Sequence, residues 1–129
     1  MTAPVGPIPY WPTAWYVVGR SSDLAAGGIL SVHLGGREVV VARLLDGSLL
    51  ALDAHCPHMG AHLRRGRVSA RGIVCALHAF EVDRRGVLLD GSGREHRSGC
   101  WQASERFGLV FVALGDTRLP LPDPPGGYR

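Results

Sequence analysis

Two short runs concentrate the side chains that bind metals. Cys56-Pro57-His58 is followed, after a gap of sixteen residues, by Cys75-Ala76-Leu77-His78. Each run pairs one thiol with one imidazole on a stretch short enough to be a single loop. Two such loops facing each other supply two sulfurs and two nitrogens. Tetrahedral zinc uses that donor set. So does a two-iron, two-sulfide cluster, with both thiolates on one iron and both imidazoles on the other. Zinc fingers group their cysteines on one loop and their histidines on the other, whereas the order here alternates. The alternation favours the cluster. Neutral imidazoles in place of thiolates also reduce the negative charge on such a centre and raise its potential.

The elements that must position these loops read as strands. Ala14 to Gly19 (AWYVVG) is rich in β-branched and aromatic residues. Ser21 to Gly28 reads as a loop or one helical turn, with Ser22 a cap before Asp23. Strands follow at Ile29 to Leu34, Glu38 to Leu45 and Leu49 to Asp53. Gly35-Gly36 and Asp46-Gly47 lie between them as two-residue hairpin turns. Gly72 to Cys75 and Ala79 to Val82 are short enough to make a small hairpin around the second ligand run, and Arg85-Gly86 and Asp90-Gly91 mark further turns. Leu109 to Leu114 (LVFVAL) is a continuous apolar run suited to a buried strand. The pattern predicts an all-β scaffold with a ligand-bearing insertion at about residues 54–83. An extended segment (residues 1–13, with four prolines) precedes the domain proper, residues 14–115, and a proline-rich tail (residues 116–129) follows.

Length and composition agree with one domain. A chain of 129 residues can bury a core but is short for two domains. Eighteen glycines and nine prolines favour short elements joined by tight turns. A net charge of +3 without a dense basic run argues against nucleic acid as a partner. No apolar stretch is long enough to span a membrane, and prolines interrupt the region where an export signal needs an apolar helix, so the expected compartment is the cytoplasm. Three cysteines give no disulfide framework, and a reducing compartment favours metal or redox roles for them.

The run Asp53-Ala54-His55-Cys56-Pro57-His58-Met59-Gly60-Ala61-His62-Leu63, with Gly66-x-Val68 and Ile73-x-Cys75-x-x-His78-x-Phe80, resembles the Rieske [2Fe–2S] domain. It is most similar to the N-terminal Rieske domain of ring- and steroid-hydroxylating oxygenases. Trp15 to Val18 and Glu105 to Val112 look like that family's flanking strands, so the resemblance covers roughly residues 10–115. It implies a Rieske-type antiparallel β-sandwich or barrel with a small inserted cluster-binding subdomain. It implies one cluster per chain with Cys56, His58, Cys75 and His78 as ligands, and no catalytic residues. Electron transfer is the expected function, as a ferredoxin or electron-carrier component between a reductase and an oxygenase. The alternative is the Rieske half of a non-heme iron oxygenase. After His78 the sequence offers only His96, too little for the two-histidine, one-carboxylate site that activates oxygen in such enzymes.

Two positions depart from the family pattern: Ala76 stands where proline is usual and Ala79 where glycine is usual. A positive φ at Ala79 would cost about 1 kcal/mol. The remaining candidates take plainer readings. His55 and His62 are expected at the surface, and His33 and His96 solvated in or near turns. Cys100 is expected to be a half-buried small apolar residue, and Trp15 and Trp101 to belong to the core.

Overall fold

Val39 to Ala42 are four consecutive residues with no exposed surface. Successive side chains of a strand point to opposite faces, so an unbroken apolar run needs a core on each side. In the computed structural model, which describes residues 14–114, that is the position of β3 (Arg37–Arg43). Val39 and Val41 face a core shared with Tyr16, Leu34, Ala51, Val110 and Val112. Val40 and Ala42 face a second core, where Leu50 and Leu52 meet Leu63, Ile73, Val82, Leu88 and both Cys56 and Cys75. The sulfur-bearing loops are therefore anchored in the same apolar layer that joins the two sheets.

The larger sheet is antiparallel. Its order is β1 (Ala14–Arg20), β11 (Leu109–Leu114), β10 (Cys100–Arg106), β4 (Leu49–Asp53), β3 and β2 (Ile29–Leu34). The second sheet runs β5 (Arg67–Val68), β6 (Gly72–Val74), β7 (Glu81–Asp83), β8 (Val87–Leu89) and β9 (Glu95–Arg97), also antiparallel. The all-β expectation holds, and the second sheet carries the second ligand run between β6 and β7. No helix among the described residues is long and apolar enough to cross a membrane. The predicted extended segment at 1–13 and the proline-rich tail at 116–129 lie outside the described residues.

Several local expectations need correction. Gly35 and Gly36 do form the two-residue turn, with φ of 58° and 85°. Asp46-Gly47 does not. Leu44 and Ser48 close a three-residue loop in which Gly47 takes φ 90° and its N–H donates to the Leu44 carbonyl at 2.9 Å. The Asp46 carboxylate accepts from the Ser48 N–H and hydroxyl, which holds the bend ahead of the glycine. β3 consequently ends at Arg43, short of Leu45. Ser22 caps nothing; the helical turn Ser21–Asp23 starts after Arg20 with no side-chain cap.

Arg43 ties the edges of this framework together. Its guanidinium makes two bonds to the Glu105 carboxylate, at 2.8 and 2.6 Å, and donates to the carbonyls of Leu24 and Gly47. Paired with Arg43, Glu105 has its pKa lowered from 4.5 to about 2. A depressed carboxylate pKa contributes stability that is present above the unfolded value and lost as pH falls toward the folded one. Arg43→Met should therefore destabilise the domain by about 2 kcal/mol at pH 7. The difference from the parent should shrink between pH 4.5 and about 2. Urea unfolding at pH 7 and pH 3 measures both.

Candidate metal centre

The two ligand loops have the same backbone design. In the first, the Cys56 N–H donates to the Ala61 carbonyl at 2.7 Å and the Gly60 N–H donates back to the Cys56 carbonyl at 2.8 Å. In the second, Cys75 pairs with Phe80 at 2.8 Å and Ala79 with Cys75 at 2.9 Å. Gly60 and Ala79 are thus equivalent, and both take positive φ, 79° and 60°. The loop demands a left-handed residue there, and the second loop meets the demand with an alanine. Ala79→Gly should stabilise the domain by about 1 kcal/mol. It should raise the urea midpoint at an unchanged m-value, and a lower midpoint would contradict the strain.

The base of the first loop is pinned from the larger sheet. Asp53 at the end of β4 accepts from the Gly99 N–H at 3.1 Å and from the indole N–H of Trp101 at 3.0 Å. The Arg37 guanidinium covers the same indole at 4.9 Å. A side chain at position 99 would run into Asp53, so Gly99 permits this close approach. Gly66 does the same below the loops, where an added Cβ would lie 2.1 Å from the Val74 carbonyl oxygen.

The four residues expected as ligands come together. Cys56 and Cys75 are buried in one core and neither is in a disulfide. Burial pushes the Cys56 thiol up, and the neighbouring Cys75 adds to it; the backbone N–H groups of His58 and Met59 act against this by hydrogen-bonding its sulfur. The His58 and His78 rings lie 5.3 Å apart, nearly perpendicular. His58 Nδ1 is a buried polar atom with no hydrogen-bond partner. Orphaned buried nitrogens are rare because they forfeit solvation for nothing. A bond from that nitrogen to an iron would satisfy it, so the donor set fits the cluster. The Phe80 ring stands on edge against His58 at 5.0 Å and stacks on His78 at 5.9 Å, which fixes both imidazole planes.

His96, His62 and Cys100 depart from expectation. His96 is not solvated: it is half-buried, its Nε2 lies 2.9 Å from Asp90, and its ring meets His58 edge-on at 5.0 Å. The β8–β9 hairpin places it there by pairing Leu88 with His96. His62 is not a free surface residue either, because its Nε2 lies 2.7 Å from the Glu38 carboxylate. His55 and His33 are exposed as expected. Cys100 is exposed rather than half-buried, since strand alternation turns Trp101 inward and Cys100 outward. Trp15 and Trp101 are half-buried, and Trp101 packs on the inner core of the larger sheet. Asp90 and Glu38 carried no signal in the sequence, because each is brought to its histidine by strand pairing.

A β-scaffold presenting two thiols and two imidazoles on matched loops is the architecture of an iron–sulfur electron carrier. The family model for the Rieske [2Fe-2S] domain matches residues 14–97, and the chain belongs to that family. It carries a [2Fe–2S] cluster of the Rieske type, and its function is electron transfer. Among similar proteins, cholesterol 7-desaturase of Bombyx mori is 37% identical over 94% of this chain and 30% of its own length. The oxygenase component of 3-ketosteroid-9-alpha-monooxygenase from Rhodococcus rhodochrous is 30% identical over 76% of this chain and 27% of its own. The chain thus spans about a third of the length of the curated relatives it matches. A crystal structure of dicamba monooxygenase superposes with a TM-score of 0.76 at 26% identity, covering 87% of this chain and 38% of that one. At 24% identity and a TM-score of 0.68, the same fold takes up 97% of one chain in a complex of oxygenase and ferredoxin from carbazole 1,9a-dioxygenase.

Proposed function

We propose that Cys56, His58, Cys75 and His78 hold the cluster and that the chain serves an oxygenase as its electron carrier. The observation that carries this reading is the unpartnered His58 Nδ1, on a ring beside that of His78, in a domain that also buries two free thiols on the same two loops. The cluster, when bound, supplies a site that takes up and gives up one electron at a time. Cys56 and Cys75 keep their side of the site out of water. His78 is exposed while His58 is half-buried, so His78 is the edge nearest a partner. Met59 and Leu77, one at the tip of each loop and each 57% exposed, give a partner an apolar rim to close against. The names of the relatives, a cholesterol desaturase and a steroid monooxygenase among them, support an oxygenase as the electron acceptor.

A second reading, that this sequence is the Rieske part of a larger oxygenase, is supported by coverage: the matched region is about a third of each relative. One set of measurements tests the proposal, and within it re-oxidation by a separate oxygenase component is what separates the two readings. The purified protein should show the visible and low-temperature EPR signature of a Rieske centre. It should be reduced by a chemical reductant and re-oxidised by an added oxygenase component, without forming hydroxylated product alone. Product formed from a steroid or aromatic substrate by the pure protein, with reductant and oxygen only, would overturn the carrier reading.

A further inference from the structure

Glu38 sits where three imidazoles meet. It lies opposite His33 in the β2–β3 pairing, and the Ala54 N–H bonds its carbonyl, so its side chain emerges beside the base of the first ligand loop. There His55 and His62 face each other across an isolated bridge, their rings 5.1 Å apart. His62 Nε2 is 2.7 Å from one Glu38 oxygen and His33 Nε2 is 3.9 Å from the other. One donor atom each of Glu38, His55 and His62 lies within 4.8 Å of the others.

We propose that Glu38, His55 and His62 form a second metal site, distinct from the cluster ligands, that takes a divalent transition cation of the zinc class. Two imidazole nitrogens and a carboxylate oxygen are a borderline donor set, suited to zinc and its neighbours and poorly suited to calcium or magnesium. Donors around tetrahedral zinc stand about 3.3 Å apart, as bonds of about 2.0–2.2 Å require. The donors already lie within 4.8 Å of one another, and rotation of the exposed His55 can bring its nitrogen to that spacing. His33, also exposed, is able to swing in as a fourth ligand or leave that position to water.

The electrostatics suit a cation. The Glu38 carboxylate bonds His62 first and the Ser31 hydroxyl second, which holds its pKa near about 2, so it is ionised throughout the neutral range. His62 is oriented by its other nitrogen, since Nδ1 accepts the Arg64 N–H at 3.1 Å and Nε2 is left aimed at Glu38. In that tautomer Nε2 carries the proton. When a cation binds Nε2, the proton passes by way of solvent to Nδ1, and the exposed Arg64 N–H turns to water. The loss is two hydrogen bonds, the exposed one from Arg64 and the one from Nε2–H to Glu38, against a metal–nitrogen bond and the attraction of the cation for the Glu38 carboxylate. The cation would lock the β2–β3 hairpin to the loop that carries Cys56 and His58.

The test uses cluster-loaded protein without an affinity tag, titrated with zinc(II). Isothermal calorimetry, metal analysis after gel filtration and the visible spectrum of the cluster are followed together. One zinc per chain beyond the cluster iron is expected, with the visible spectrum unchanged. Glu38→Gln and His62→Ala should each weaken binding by about tenfold or more, while Asp46→Asn leaves it unaltered. Glu38→Gln is nearly isosteric, so it carries the test even if His62→Ala fails to fold. Three results overturn the proposal: no zinc retained, zinc held equally well by Glu38→Gln, or zinc uptake that bleaches the cluster spectrum in proportion. The last would put zinc on the thiolates instead. None of the three bears on the electron-carrier reading.

Discussion

Cys56→Ala and Cys75→Ala are each expected to yield colourless protein, whereas Cys100→Ala keeps the full visible spectrum. The parent should contain about two iron and two acid-labile sulfide per chain. Cys56 and Cys75 stand side by side in the core that joins the two sheets, and under the proposed ligand assignment losing either would leave one iron a thiolate short. Cys100 is exposed at the start of β10, its sulfur 3.2 Å from the Arg84 carbonyl, in a different part of the structure. The cost should also appear in folding. Metal binding is coupled to the order of the residues that bind, so the loops without their cluster lose that contribution. Each cysteine variant should unfold at lower urea than the parent, beyond the small change expected from trimming one sulfur. Iron analysis and urea titration together check this. An alanine variant at position 56 or 75 that retains a stoichiometric cluster would refute the ligand assignment.

The midpoint potential is expected near the low end of the Rieske range, at about −150 to 0 mV. High-potential respiratory Rieske proteins place serine and tyrosine hydroxyls where they can donate to sulfurs of the cluster and its ligands. They also tie the two ligand loops together with a further pair of cysteines. At the matching positions this chain has Phe80 and Val82 for the hydroxyls and Ala61 and Leu77 for the cysteines. The structure bears out the apolar character. Val82 is fully buried in the core that holds both thiols, and Phe80 offers only its ring to His58 and His78. Each missing hydrogen bond leaves more electron density on the sulfurs and makes reduction harder. The backbone N–H groups of His58 and Met59 at Cys56 keep the value from falling further. Such a potential suits electrons arriving from a nicotinamide-driven reductase and disfavours quinol oxidation. Protein-film voltammetry at neutral pH gives the number directly. A midpoint near +300 mV would show that other donors reach the sulfurs.

The four proposed ligands are legible as candidates in residue type and spacing because each pair sits on one short loop. In such a loop, sequence separation nearly determines spatial separation. The strands Ile29–Leu34 and Leu49–Asp53 were legible for the same local reason, as β-branched or apolar runs bounded by turn residues. The apolar run of β3 was visible too, although only the structure showed that it is buried because a core lies on each face. The Asp46-Gly47 loop was misjudged by one residue, since the choice of loop length rests on how β3 and β4 pair and not on the dipeptide. β5, β8 and β9 have two or three residues each, too few for any period to show, and exist because neighbouring strands supply their hydrogen bonds. Register likewise decided the surroundings of the site. A strand pairing carries His96 and Asp90 to His58, and another brings Glu38 to His62. Alternation along β10 turns Cys100 outward. The choice of proposed ligand atoms follows from a few adjacent residues. What presses on those atoms depends on strands far apart in the chain, and a shift of one residue in their pairing would turn those side chains to the other face.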